Sequence, residues 1–486
     1  MLRRVLDMRP VFFVTGVLLV VLSLAMLLPL VVDLGTAGGQ WRAFAVSSAL
    51  TLFFGVMLIL VNRSEALSLT LRQTFVLTTL NYVVLGAFAS LPLLFADGGL
   101  GPVDALFEAL SGITTTGSTV ISGLDDTDPG LLAWRAILQW LGGVGIIAIG
   151  IIILPFLRVG GMQIFRSESS DTYEKVVPRA ADLVSSIITI YLSFTGLCIL
   201  AYAAAGMPAL EALCNGMTTV ATGGYATRDA SIGGFDNEAI EWIAIAGMMG
   251  GALPFVRYIS FLKGEFRAII DDSQVRAFFG TLLGIVALVT LWRIADDQGD
   301  TATLFRITLF NVTAIMTTTG YAAEDYTAWG SFAVMTFFLL SFLGGCTGST
   351  TGGIKMFRLE ILILVLKAQL MRLYSPNRVI PLQYDGKRVD ADVMLSVMSF
   401  LFVFIALILV FSMILGAFGL DFVTAVSGAT SAVANVGPGL GPVIGPAGNF
   451  APLPDAAKLV LCLAMILGRL EFFTVLVLIN PAFWRD

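Results

Sequence analysis

The sequence predicts an all-α polytopic membrane protein with ten transmembrane helices. The last eight form four parallel helix, re-entrant loop, helix repeats around a single pseudo-fourfold pore. Three observations carry this reading. Of 486 residues, 57% are hydrophobic and only 13% charged, and the mean hydropathy is +0.90, a balance that no soluble globular domain reaches. Apolar runs of bilayer-spanning length recur along the whole chain. Between the two runs of each later pair lies a segment too apolar for a loop and too short to cross, as expected of a hairpin buried against protein at membrane depth.

The runs lie near 11–33, 44–62, 73–95, 133–157, 182–204, 239–262, 277–295, 330–370, 394–418 and 456–480. The first follows the basic start Met1 to Arg9 and carries no small-residue cleavage site, so it reads as a retained helix. About 21 of the 28 Lys and Arg fall on the side of the N-terminus and about 6 on the other, which places both termini in the cytoplasm. The basic side holds Arg158, Arg166, Lys175 and Arg179, then Lys263, Arg267 and Arg276, then Lys367, Arg372, Arg378, Lys387 and Arg388. The outer loops are acidic, with Asp125, Asp126 and Asp128, then Asp236, Glu238 and Glu241, then Asp296, Asp297 and Asp300. Such a mouth would concentrate cations, although plain solvated loops account for most of these charges equally well. The expected units are 1–69 (two N-terminal helices), 70–180, 181–270, 271–390 and 391–486, the last four being the repeats.

The four short segments end in related turns. The first closes on Ser-Gly-Ile-Thr-Thr-Thr-Gly-Ser-Thr at Thr119, the second on Thr-Thr-Val-Ala-Thr-Gly-Gly-Tyr at Tyr225. The third reads Ala-Ile-Met-Thr-Thr-Thr-Gly-Tyr-Ala over 314–322, and the fourth Thr-Ser-Ala-Val-Ala-Asn-Val-Gly-Pro-Gly up to Gly439. Threonines ending in Gly-Tyr are a common spelling of a potassium filter, in which backbone carbonyls replace the ion's hydration shell and glycine keeps side chains out of the line. One such match is equally a Thr-rich loop; the argument rests on repetition. The expected filter residues are Thr115, Thr116 and Gly117; Thr222, Gly223 and Gly224; Thr318, Thr319 and Gly320; and Asn435, Val436 and Gly437. A short helix ahead of each aims its partly negative C-terminus at the cavity below, favouring a cation. The strands differ in sequence, so fewer ordered ion sites are expected than in a filter of four identical ones.

Each inner helix carries a small-residue pair: Gly142-Gly143, Gly250-Gly251, Gly344-Gly345 and Gly468-Arg469. The second members lie 26, 27, 25 and 32 residues after the four filter glycines. Residues 331–370 as one helix would be about 60 Å long, twice the hydrocarbon core, so this run must break. The break is written in Gly344, Gly345, Cys346, Thr347, Gly348, Ser349, Thr350, Thr351, Gly352 and Gly353. Irregular backbone at that depth is tolerated where it is buried in protein or lines a water-filled cavity, so the segment is expected to be a gate below the filter. A simple kink needs only one or two glycines. Arg469, within the apolar run 459–478, is expected at the same place and to hold the gate shut. Glu471 is expected to form an ion pair with another unit.

The chain has no histidine, which removes the commonest proton shuttle, metal ligand and general base and disfavours an enzyme. Cys198, Cys214, Cys346 and Cys462 lie singly in or beside apolar runs and read as free thiols. No organic cofactor and no nucleic acid are expected. A proton- or sodium-coupled symporter stays open, as does a non-transporting assembly subunit.

With these residues in view, the chain resembles the Trk/Ktr/HKT superfamily of potassium uptake proteins, and within it the bacterial Trk branch with its two additional N-terminal helices. The four filters carry the resemblance, together with Thr-Gly-Ser-Thr-Thr-Gly-Gly-Ile-Lys over 347–355, Gly-Arg-Leu-Glu-Phe-Phe over 468–473 and Gly-Gly-Met-Gln-Ile-Phe-Arg over 160–166. It implies potassium ions in the filter, a homodimer with one pore per subunit in the bacterial inner membrane, and a cytosolic nucleotide-binding regulatory ring resembling TrkA. That ring would dock on the basic segments 158–179 and 355–388. In this superfamily a serine at the first filter glycine goes with sodium; Gly117 therefore implies potassium.

Overall fold

The computed structural model describes residues 6–36, 38–63, 69–148, 173–296, 299–377 and 380–484. The Gly160 to Arg166 motif, Arg158, Asp297 and Arg378 lie outside the described residues. Helices dominate, and the described strands are a two-residue hairpin pairing Gln383–Tyr384 with Lys387–Arg388.

The N-terminal helices α1 (Arg9–Ala25), α2 (Leu27–Gly35) and α3 (Trp41–Val61) form a close pair of crossings. A Cβ on Gly16 would lie 2.7 Å from the Gly55 carbonyl and one on Gly55 3.0 Å from that of Gly16, so small residues let the two backbones touch. Ser23 and Ser48 exchange hydrogen bonds across the contact.

Four units follow. The first comprises α4 (Leu71–Ala89), α5 (Leu91–Phe95), α6 (Pro102–Ile113) and α7 (Pro129–Ala148). The second has α8 (Tyr173–Ala204), α9 (Ala209–Val220), α10 (Glu238–Ala252) and α11 (Phe255–Leu262). The third has α12 (Ser273–Asp296), α13 (Thr301–Met316), α14 (Ser331–Leu340) and α15 (Met356–Tyr374). The fourth has α16 (Ala391–Ala417), α17 (Phe422–Ala434), α18 (Gly441–Ile444), α19 (Asp455–Arg469) and α20 (Phe473–Ile479). The short helices α6, α9, α13 and α17, of 12, 12, 16 and 13 residues, reach at most about 24 Å at 1.5 Å per residue and cannot cross. Their C-terminal halves are buried throughout. Large apolar side chains such as Leu200, Leu291, Phe402 and Met413 are exposed on the long helices, as an acyl-chain solvent requires.

Among the described residues, seven helices are long and apolar enough to cross a membrane, and two bent pairs raise this to nine. The expected run 330–370 is interrupted between α14 and α15 by the Gly-rich loop. Two other runs read as single helices are also broken, which corrects that expectation. The run 239–262 bends by 95° between α10 and α11, where Pro254 cannot donate to the helix ladder. The run 456–480 bends by 112° between α19 and α20, where Glu471 (φ 53) and Phe472 (φ 28) leave the helical region.

Candidate ion pathway

The four short helices end alike. Thr115 N donates to Gly112 O (2.9 Å) and Thr116 N to Ser111 O (2.9 Å); Thr222 N to Thr219 O (3.1 Å) and Gly223 N to Thr218 O (2.9 Å). Thr318 N donates to Ile315 O (3.0 Å) and Thr319 N to Ala314 O (2.8 Å); Asn435 N to Ala432 O (3.4 Å) and Val436 N to Ser431 O (3.0 Å). This pair of bonds is the Schellman stop, whose left-handed residue is normally glycine. Here it is Thr115 (φ 53), Thr222 (φ 47), Thr318 (φ 54) and Asn435 (φ 56). Two residues on, Gly117, Gly224, Gly320 and Gly437 are again at positive φ, while the residue between them is not. In an ordinary extended strand successive carbonyls face opposite sides; left-handed residues at alternate positions turn them to one side.

The four turns close on one another. A Cβ on Gly117 would collide with the carbonyl oxygen of Gly223, one on Gly224 with that of Thr319, and one on Gly320 with that of Val436; one on Gly437 would lie 2.9 Å from that of Thr116. Each oxygen belongs to the residue just before the next glycine. The result is a closed cycle of four carbonyls with no room for a side chain.

Side chains lace three of the four seams. Between turns one and two, Gln139 Nε2 donates to Gly223 O (2.5 Å) and its Oε1 accepts from Tyr225 N (3.0 Å). There the Tyr225 hydroxyl also donates to Glu108 O (2.7 Å). Behind it, the buried pair Arg135 and Glu108 (2.8 Å) sets the guanidinium over the Tyr225 ring. Between two and three, the Tyr321 hydroxyl bonds Thr218 Oγ1 (2.5 Å). Between four and one, Ser118 Oγ donates to Gly437 O (2.7 Å) and Asn435 Nδ2 to Thr116 Oγ1 (2.9 Å).

The Gly344 to Gly353 loop lies against these turns where the short helices end. Thr222 Oγ1 donates to Thr350 Oγ1 (2.9 Å), Gly352 N to Thr318 Oγ1 (2.7 Å) and Gly353 N to Ala434 O (2.9 Å). A parallel bridge between Leu343 and Ile354 closes its neck. Arg469, 3% exposed, donates through Nη1 to Thr350 O (3.1 Å). Lys355, also buried, donates to Thr351 O and Thr351 Oγ1. Arg358 and Glu471 pair at 2.5 Å, tying the third unit to the fourth. Thr347, Gly348, Ser349, Thr351, Gly352 and Gly353 face a cavity of about 40 Å³ that Asn435 and Arg469 also line. A second cavity of about 80 Å³ opens on the other side and touches all four turn glycines.

The structure therefore brings all the residues expected for the filter into one cycle, and the loop and Arg469 to one side of it. The small-residue register needs one correction. Gly142, Gly251 and Gly468 hold the close approaches, to Ile113 O, Val220 O and Val433 O, so the equivalent residue is the first of the pair in units one and four and the second in unit two. Gly344 and Gly345 face Gly352 and Ala252 instead. The outer acids are in good part committed: Glu241 and Glu238 to Arg306 (2.6 and 3.3 Å), Asp128 to Gln40 (2.9 Å), Asp300 to the cap of α13. Backbone and hydroxyl hydrogen bonds from Thr303 hold the Asp300 carboxyl below its usual range, and Thr424 does the same for Asp421 at the cap of α17. Gln139, Glu108 and Arg135 were not singled out from the sequence; an amide, a carboxylate and a guanidinium in apolar runs are the signal that could have found them. Lys355, read from the sequence as the start of a basic docking segment, is instead buried against the loop.

The TrkH family model, described as a cation transport protein, matches residues 41–485. The chain is similar to the Trk system potassium uptake protein TrkI of Halomonas elongata, 45% identical over 98% of this chain and 97% of that one. It is also similar to TrkH of the same organism, 37% identical over 99% and 100%, and to TrkG of Escherichia coli, 33% identical over 98% and 99%. Among solved structures, the potassium transporter TrkH from Vibrio parahaemolyticus superposes with a TM-score of 0.92 at 34% identity, covering 99% of this chain and 100% of that one.

Proposed function

The chain belongs to the TrkH family of cation transport proteins, a transporter and not an enzyme, and from this premise we propose that it takes up potassium through a channel-like pore. The cycle of carbonyls at Thr116, Gly223, Thr319 and Val436 is the observation that carries the reading. Oxygens with no side chain between them, backed by helix C-termini, suit a bare monovalent cation. Thr115, Thr222, Thr318 and Asn435 supply the next carbonyls inward, and the names of the relatives make potassium the cargo. Ten crossings in the units 1–69, 70–180, 181–270, 271–390 and 391–486 fit this reading. In it the loop and Arg469 form the gate. A positive charge about 4 Å from the ion path opposes a cation by about 4 kcal/mol at an effective dielectric of 20.

The protein acts in the bacterial inner membrane, with both termini cytoplasmic, as a homodimer regulated by a nucleotide-binding ring resembling TrkA. The rival is a proton- or sodium-coupled symporter. It needs an intramembrane acid free to titrate, and Glu471 is held by Arg358. Potassium flux into proteoliposomes, driven by a potassium gradient with and without a proton or sodium gradient, separates the two. Uptake that follows the potassium gradient alone is expected; uptake that needs the second gradient establishes the symporter.

A further inference from the structure

The residue after each turn glycine reaches back to the preceding unit in three cases. Tyr225 bonds Glu108 O, Tyr321 bonds Thr218, and Ser118 bonds Gly437 O. In the fourth turn this residue is Pro438, which has neither a hydroxyl nor an amide hydrogen. Its ring packs against Gly320. Among the described residues, no hydrogen bond joins the third turn or α13 to the fourth turn or α17. Behind this contact lies a small cavity of about 10 Å³, lined among others by Ile315, Tyr326, Phe337, Val436 and Pro438. The other three seams are laced by side chains; this one is not.

What bridges it comes from below. Gly352 N–H donates to Thr318 Oγ1 in the third turn, and the next amide, Gly353 N–H, to Ala434 O at the end of α17. Two consecutive amides of the loop thus span the unlaced seam. The same loop is tied to the fourth unit through Arg469 and Thr350 O.

We propose that the loop is the clasp of the third and fourth turns, so that its displacement loosens that seam and ion discrimination depends on the state of the gate. This rests on the reading of the four turns as a filter. When the loop leaves, Thr318 Oγ1 and Ala434 O lose their shared partner, and Pro438 offers nothing in its place. The laced seams keep their spacing, so the loosening is one-sided.

The test begins with hydrogen exchange of the full-length protein without a regulator, where the loop is in place. Thr318→Val keeps the branched shape and removes the acceptor; exchange in 310–323 and 430–440 is expected to quicken about threefold, the scale set by one buried hydrogen bond. Unchanged exchange in both segments of the folded variant overturns the clasp. Reversal potentials report the conducting state, where the loop has left; there Pro438→Tyr, which laces the seam in its place, is expected to raise the potassium-to-sodium permeability ratio above wild type, and an equal or lower ratio overturns the coupling of discrimination to the gate. Gly320→Ser, measured alongside, separates the two readings: if it alters the ratio while Thr318→Val leaves exchange unchanged, only the clasp fails, and if it leaves the ratio unchanged, the filter reading fails. Hydrogen exchange of Arg469→Ala tests the clasp without altering any turn. Faster exchange than wild type is expected in 310–323 and 430–440 relative to 108–120 and 214–226, and equal changes in all four overturn the proposal.

Discussion

At Thr115, Thr222, Thr318 and Asn435 the backbone takes a left-handed conformation on residues with a Cβ, three of them branched, where glycine would be easier. Three of the four side chains are engaged: Thr222 with Thr350, Thr318 with Gly352, and Asn435 with Thr116 and Met465. Those contacts offset a strain that glycine would avoid, and the first two join the turns to the loop. The Thr-Thr-Gly spelling was legible in the sequence because it recurs. The Gln139, Glu108 and Arg135 support was not, because its partners lie some 80 to 120 residues away or on another element, where no spacing rule reaches. The buried Arg135 and Glu108 pair makes a firm prediction. Glu108→Gln leaves a buried guanidinium without its carboxylate and should cost on the order of 3 kcal/mol. Its thermal midpoint in detergent should fall by several degrees, and a midpoint equal to wild type would show that Glu108 braces nothing. Arg469→Ala removes both the bond to Thr350 O and the positive charge from the path. Basal potassium flux without a regulator should rise, whereas a folded variant with flux at or below wild type would make Arg469 a structural tie.

Helices and breaks differ in how openly they are written. Ten polar, small or glycine residues over 344–353 announce a break that no helix of that composition survives. The bend after Arg469 is written in Leu470, Glu471 and Phe472, none of which is a helix breaker. It is set by tertiary contacts: Glu471 reaches Arg358, and Phe472 packs at 4.5 Å on Phe400. Deleting part of 347–351 should raise basal flux, as measured by rubidium uptake into vesicles; reduced flux in a folded protein would mean that the loop supports the pore rather than closes it. The short helices α13 and α17 start on aspartate caps whose folded pKa values are depressed. A depressed folded value contributes stability that is present above the unfolded value of about 3.9 and is lost as pH falls through the folded one. Thermal midpoints of wild type and Asp421→Asn should therefore differ in their pH response only below about pH 4. A difference that opens between pH 8 and 6 would contradict this assignment.

For the whole molecule, the alternation of long apolar runs with short buried segments was legible because that pattern recurs along the chain. The N-terminal pair α1 and α3 stands outside that pattern, packed through Gly16 and Gly55. What could not be read was the inequality of the four seams, since Tyr, Tyr, Ser and Pro after the glycines acquire meaning only when their neighbours are known. The central claim is that a cycle of four carbonyls, closed around glycines that admit no side chain, selects the ion. Reversal potentials in mixed potassium and sodium, for wild type, Gly117→Ser and Gly320→Ser, test it most directly. Both glycines have positive φ and face a carbonyl oxygen where a Cβ would go, so either serine must displace the ring, and the potassium preference of the wild type should drop in both variants. Conducting variants that both keep the wild-type preference would contradict the account.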